Sequence, residues 1–309
     1  MSARILVTGA AGFIGSQVLA RLVDDDAVER AVGVDIVDPT GVGLHRLDVR
    51  DEGLADVLRE ERIDRVVHLA AIVTPQPHHT REFLRSVDVD GTRNVVEACL
   101  AAGVGHLTVT SSGAAYGYHP DNPEWIDEDD ALRGNEAFAY SDHKRQVEEM
   151  LAGYRESHPG LRQLVLRPGT ILGASVDNQI TALFERPVVL GIAGSPTPFV
   201  FIWDTDVVDI VVRGSVEAVE GRFNLAGDGA VPLRDVAAEL GKPYVPVPAA
   251  VVKAALAALH PLRLVPYGPE QVDFLRYRPV LANRRLKEDF GYTPSKTSLE
   301  ALRAWRDRG

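Results

Sequence analysis

Short apolar runs alternate with longer amphipathic stretches through the first half of the chain, and most of the runs end in small, hydroxylated or acidic residues. Residues 4–7, 31–35, 44–47, 63–69, 106–110 and 161–166 have the length and apolarity of strands buried in a parallel sheet. Between them, residues 16–23, 52–62, 80–102 and 139–154 repeat their apolar positions at helical spacing, with Gly91 expected to interrupt the third. Strands alternating with helices of ten or more residues predict an α/β fold built on a doubly wound parallel sheet. After residue 173 the alternation loosens. A strong strand at 199–203, a strand and turn at 223–227, and helices at 205–219, 231–240, 249–259, 284–290 and 298–306 predict a smaller C-terminal α/β region. The expected division is 1–173 for a nucleotide-binding domain and 174–309 for a mainly substrate-binding region, with the chain free to cross back.

Composition narrows the partners. The 309 residues suffice for one large or two modest domains, and 45% hydrophobic with 25% charged residues is ordinary for a globular chain. A formal charge of −11 argues against nucleic acid or an anionic membrane, both of which call for a basic surface. The single Cys99 excludes an intramolecular disulfide framework and, inside the apolar stripe 95–100, reads as a buried structural thiol. The N-terminus lacks the pattern of a signal peptide. The longest apolar stretch, 248–259, is too short to span a bilayer and carries Lys253, so the expected location is cytoplasmic. No metal site enters the reading.

The first strand runs into Thr8-Gly9-Ala10-Ala11-Gly12-Phe13-Ile14-Gly15 and then into a helix, the context that a phosphate-cradling loop requires. Gly9 is expected to turn the chain tightly, Gly12 to leave room for a pyrophosphate and Gly15 to bring the helix close to the sheet. Phosphates would meet free N–H groups at the positive end of that helix. Asp35 ends the second strand twenty residues after Gly15, where a dinucleotide fold places an acid on the adenosine ribose. A carboxylate there repels a 2′-phosphate, which favours NAD over NADP. Its bland alternative is a turn with Pro39 and Gly41. Asp48, ending the third strand, can accept from an adenine amino group or cap the next helix. Ala70 and Ala71 let a backbone pass close to a cofactor, whereas His68 reads as a core histidine. Ligands of such sheets bind beyond the carboxyl ends of the strands, so Gly9, Asp35, Asp48, Ala70 and Ser112 converge on one crevice. The run Asp127-Glu128-Asp129-Asp130, in a polar loop at 119–135, is expected to be a solvated turn and helix entry.

Tyr140 and Lys144 stand four residues apart on a predicted helix and share a face. A free phenol, with a pKa of about 10, is a poor base at neutral pH. A nearby ammonium, with the charge of an oxidised nicotinamide, favours the ionised form. With Ser112 donating to the same substrate oxygen, the three can take a proton from a secondary alcohol as its hydride leaves, or run the reverse. By itself a Tyr and Lys at this spacing is uninformative.

Taken together the pieces resemble the NAD-dependent epimerase/dehydratase family of extended short-chain dehydrogenase/reductases. They are Thr8 to Gly15, Asp35, Asp48-Val49, His68-Leu69-Ala70-Ala71, Gly91-Thr92-Arg93-Asn94, Ser111-Ser112 through Tyr116-Gly117, Tyr140-x-x-x-Lys144 and Leu166-Arg167-Pro168, in the family's order over roughly the first 175 residues. The resemblance implies a Rossmann-type fold, Tyr140 as acid/base, Lys144 as its modulator and Ser112 as the oxygen-binding hydroxyl. Asp35 would hold the adenosine ribose and Asp48-Val49 flank the adenine. The implied cofactor contacts further include Gly9, Gly12, Phe13, Ile14, Gly15, Ile36, Leu69, Ala70, Ala71, Tyr140, Lys144 and Pro168. A homodimer through the helices around 80–102 and 140–154 is implied as well. The family usually places Asn where this chain has Asp88, which puts an amide-like cofactor contact from that position in doubt.

Three functions follow. The first is an NAD-dependent oxidoreductase acting on a small-molecule secondary alcohol or ketone, and the second a nucleotide-sugar epimerase or dehydratase that keeps its NAD bound. The third, an NAD(P)-sensing regulator, needs the glycine loop but not Ser112, Tyr140 and Lys144. Nucleotide-sugar members of the family usually carry an Arg-Asp beside the strand equivalent to 199–203. Here the approach, Ser195-Pro196-Thr197-Pro198, has no cation; Arg276, Arg278, Arg284 and Arg285 lie downstream as substitutes or as ordinary surface arginines. The less anionic alcohol or ketone is therefore placed first.

Overall fold

The apolar runs of the first half lie side by side in one parallel sheet. A computed structural model describes residues 2–37, 44–76, 78–176, 178–260, 268–269 and 271–308, so the Pro39–Gly41 turn lies outside the described residues. β1 (Ala3–Thr8), β2 (Val28–Asp35), β3 (Leu44–Arg46), β4 (Arg65–His68), β5 (His106–Thr110) and β6 (Arg162–Pro168) are joined by a seventh strand, Gly221–Leu225. The order across the sheet is Gly221–Leu225, β6, β5, β4, β1, β2, β3. The chain builds outward from β1 to one edge, then returns to its other side with β4. Such a reversal opens a crevice beyond the carboxyl ends of β1 and β4.

Helices cover both faces because the strands are apolar on both. On one face α2 (Leu54–Glu60), α4 (Gly91–Ala102) and α5 (Ala139–Ser157) pack over Val66, Leu107 and Val165, with Cys99 buried among them. On the other, α1 (Phe13–Val23) and the helix Asp204–Val216 pack over Val7, Val67 and Leu166. Residues beyond 173 are thus shared: one strand and this helix complete the sheet layer. A separate core of Phe184, Phe199, Phe201, Leu302 and Trp305 organises the rest.

Three local features differ from the expectations. The long helix is not broken at Gly91, whose backbone is helical and whose missing Cβ leaves room for Val49. The irregularity falls one turn earlier, where a π-helical turn, Ser86–Asp90, joins α3 (Arg81–Arg85) to α4. The run 199–203 is two strands: Pro198–Phe199 pairs antiparallel with Val231–Pro232, and Phe201–Trp203 pairs parallel with Thr170–Leu172. A run without polar alternation says nothing about which neighbours flank it, so the split was invisible in the pattern.

Glu128 is the third. It is buried rather than solvated, and its Oε1 accepts from the Asn224 backbone N–H at 2.7 Å. Beneath it Arg167, fully buried at the end of β6, donates to both Glu148 oxygens, to the Tyr116 hydroxyl and to the Glu128 carbonyl. Breaking such a buried pair costs about 3–5 kcal/mol, because the remaining charge has no water to turn to. The network therefore holds the loop before α5 firmly against the sheet, and with it the helix entry at Tyr140.

Candidate active site

The glycine loop turns out of β1 at Gly9, whose φ of +70° suits glycine alone, and a Cβ there would meet the Ala70 amide at 2.7 Å. Gly15 packs its missing side chain against the Gly9 carbonyl, so the close approach is to the loop's own turn rather than to a strand. Gly12 and Phe13 are exposed, Ile14 is half-buried, and α1 starts with no side-chain cap and no acid in its first turn. Its free N–H groups are therefore open to an anion, as a dinucleotide pyrophosphate requires. At the end of β2, Asp35 accepts from the Ala11 N–H at 2.9 Å and from the Val37 N–H at 3.2 Å, one bond per oxygen. Each oxygen keeps a lone pair for a ribose hydroxyl. Ile36 beside it is exposed. These residues fit a dinucleotide.

Asp48 lies next along the crevice but neither caps α2 nor stands free. Arg50 holds its two oxygens at 2.9 and 2.7 Å, and that hydrogen bonding keeps the carboxyl below its usual range. The neighbouring Val49 is buried, its carbonyl taken by Asn94. Leu69, Ala70 and Ala71 are half-buried beyond β4, and Pro168 is buried at the end of β6.

His68 sits at the centre of a buried hydrogen-bonded chain. Its Nε2 faces Thr92 Oγ1 at 2.9 Å and its Nδ1 faces Thr8 Oγ1 at 2.7 Å. Thr92 donates its hydroxyl proton to the Asp88 carbonyl at 2.6 Å, so it accepts from His68, which fixes the proton on Nε2. Thr8 then donates to Nδ1 while accepting from the Ala70 N–H. Burial, and after it the Lys144 ammonium, push the imidazole down to about 3 against a weaker pull from Asp88. His68 is a neutral structural hub.

The Tyr140 and Lys144 pair lies in the first turns of α5. Lys144 is buried, donates from Nζ to the Thr110 carbonyl at 3.1 Å, and lies 5.8 Å from the centre of the Tyr140 ring. Ser112 caps the 3₁₀ turn Gly113–Tyr116, its Oγ accepting from the Ala114 N–H at 3.1 Å. That turn is clamped to α5 by Ser141, which donates to the Ala114 carbonyl at 2.6 Å. Ser112 and Tyr140 thus belong to two segments locked together at the crevice.

Several neighbours went unnoticed in the sequence. Phe138 stands 6.2 Å from Tyr140 between ring centres, and packs with Tyr118 and Phe274 at 5.8 and 5.4 Å. Of the four downstream arginines, Arg284 and Arg285 pair with Asp127 and Asp129, and Arg276 lies over its neighbour Tyr277. Arg278 alone returns to the 199–203 segment, lying 4.1 Å over Phe199 and 4.8 Å over Phe274 and donating to Thr170 Oγ1. One guanidinium nitrogen of Arg278 is buried without a hydrogen-bond partner. An aromatic residue two before Tyr140 was the only signal of this wall that spacing offered; Phe274 and Arg278 arrive from a distant part of the chain.

Comparison with known proteins agrees with this fold. The sequence profile of the NAD dependent epimerase/dehydratase family matches residues 5–211. A UDP-glucose 4-epimerase of Mycolicibacterium smegmatis is 31% identical, the match covering 97% of this chain and 96% of that one. An uncharacterized protein of Mycobacterium tuberculosis is 26% identical over 96% of this chain and 82% of its own. Among solved structures, the UDP-glucose 4-epimerase of Thermus thermophilus in complex with NAD superposes with a TM-score of 0.74 at 25% identity, covering 99% of this chain and 98% of that one. The chain belongs to the NAD dependent epimerase/dehydratase family, and NAD is its cofactor. Among the described residues no helix is long and apolar enough to cross a membrane.

The neutral hub makes stability acid-sensitive. His68 gains its proton near 6.5 in the unfolded chain and only near 3 in the fold, so the unfolded state binds the proton first as pH falls. Its contribution is whole above pH 6.5 and declines from there towards pH 3. In urea titrations at pH 7.5 and 5, His68→Gln should lower stability at pH 7.5 and shrink the difference between the two; an unchanged difference would remove His68 as its source.

Proposed function

We propose that this member of the NAD dependent epimerase/dehydratase family transfers a hydride between NAD and a secondary alcohol or ketone, with Tyr140 handling the proton. Bound NAD supplies the hydride acceptor or donor. Tyr140 Oη takes the hydroxyl proton from the alcohol in oxidation and returns it to the carbonyl oxygen in reduction. The Lys144 ammonium stabilises negative charge gathering at that oxygen, and Ser112 Oγ donates a hydrogen bond to the substrate oxygen. The observation that carries the reading is the Lys144 side chain, buried beside the Tyr140 ring and steered by the Thr110 carbonyl at the end of β5. A buried ammonium is costly unless it has a task or a partner. The aromatic wall of Tyr118, Phe138 and Phe274 supports a substrate with apolar character.

A second reading is a nucleotide-sugar epimerase or dehydratase that keeps its NAD through the cycle. The partner-free nitrogen of Arg278 supports it, as does the likeness to UDP-glucose 4-epimerases. The two readings use the same proton chemistry and differ in whether the changed cofactor is released.

Tyr140→Phe should lower turnover at least about a hundredfold, the usual scale of general acid–base catalysis, with NAD affinity nearly intact. NADH absorbance with a panel of ketones, run beside UDP-sugars assayed for epimerised product, measures both readings; full activity in the variant would sink the role of Tyr140. Asp35→Ala should weaken NAD binding more than NADP binding, and an unaltered preference in calorimetry would remove Asp35 from the ribose. We infer in addition that two chains pair through the α3–α4 and α5 helices; light scattering at micromolar concentration should report twice the 33.6 kDa chain mass.

A further inference from the structure

Asp88 and His143 are two buried ionisable side chains beside the crevice that the chemistry above does not use. Asp88 lies in the π-helical turn between α3 and α4, and the wide turn carries it inward until only 4% of it is exposed. Turns of this kind interrupt a helix at some cost and recur where a side chain must be aimed. One carboxylate oxygen accepts from the Ile72 N–H at 3.0 Å and so pins the segment after β4. This is the segment whose Ala70 closes over Gly9 in the cofactor cradle. The other oxygen lies 3.6 Å from His143 Nδ1.

His143 is the residue before Lys144 and is 1% exposed, and neither of its ring nitrogens has a hydrogen-bond partner, the 3.6 Å approach to Asp88 being an ion-pair distance. The other acid on this stretch of α5, Asp142, is held by Arg81 and Arg145. Lys144 spends its ammonium on the Thr110 carbonyl, and His68 is closed by its two threonines. A buried carboxylate with one amide donor remains uncompensated unless a second donor faces it. His143 is the group whose position meets that need.

We propose that His143 and Asp88 form a positioning pair, in which the His143 Nδ1–H is directed at the second Asp88 oxygen and ties the segment 70–72 to the helix of Tyr140 and Lys144. The pair holds the cofactor cradle and the proposed proton-transfer residues in register. That register rests on the reading of Tyr140 and Lys144 given above, whereas its effect on the cradle does not. NAD binding therefore tests it independently of turnover.

The experiment compares the intact chain with His143→Ala, Asp88→Asn, the double variant and His143→Gln, by NAD titration calorimetry and by thermal midpoint without NAD. His143→Ala should weaken NAD about tenfold, because an unpaired carboxylate sits behind the segment that closes the cradle. Asp88→Asn in that background should restore affinity to within about threefold, since the charge is gone while the Ile72 contact survives. His143→Gln, which keeps a donor, should bind NAD like the intact chain. Should His143→Ala not fold alone, recovery of a folded, NAD-binding protein in the double variant is the expected result. Losses that simply add, or thermal midpoints that fall while NAD affinity stays constant in every variant, would overturn the pairing. If instead Tyr140→Phe retains activity while this rescue holds, the catalytic reading fails and the positioning pair stands.

Discussion

The hydrogen bonds of His68 are what the centre of this structure depends on. β1 and β4 stay paired to their last residues, Thr8 beside His68, where the sheet reverses direction, and the Leu69 N–H still donates to the Thr8 carbonyl just beyond. His68 adds a side-chain tie at this point. It receives a proton from Thr8 on β1 and gives one to Thr92 on α4, which passes its own to the Asp88 carbonyl. Each member donates once along the line, so none of these three buried side chains is left without a partner. A charged imidazole would break that direction, and burial keeps it neutral.

Around this tie the site divides into a rigid floor and a gathered wall. The floor is the glycine loop, Asp35 and the segment after β4, all set by backbone at strand ends. The wall is assembled from Phe138 before α5, Tyr118 after the 3₁₀ turn, and Phe274 with Arg278 near the end of the chain. Floor residues are suited to a ligand common to many proteins of one architecture. Wall residues come from three separate stretches of the chain and combine aromatic surface with a guanidinium.

Much of the floor was legible in the chain itself. Apolar runs of four to seven residues, most of them stopped by Thr, Asp, Ala or Ser, announced parallel strands. His68 among apolar neighbours read as a core residue, and its two threonine bonds bear that out. Of the wall only Arg278 was singled out, as one of four candidate arginines; Phe274 lies more than a hundred residues from Tyr140 and carried no mark. The burial of Glu128 was not legible either, since it depends on Arg167 waiting beneath it. The position of the irregular helical turn was misread for a different reason: glycine is the usual sign of a break, yet Gly91 serves close packing against Val49 while the π turn falls on residues with no such mark.

By itself, then, the sequence determined the doubly wound sheet, which follows from periodicity, and carried the ordered local motifs whose resemblance pointed to the family and to NAD. Tertiary structure decided which arginine returns to the 199–203 segment, which acid is buried, and that Asp88 meets His143. Those are contacts between side chains far apart in the chain, and a buried charge acquires its partner only when packing brings the two together and removes the water between them.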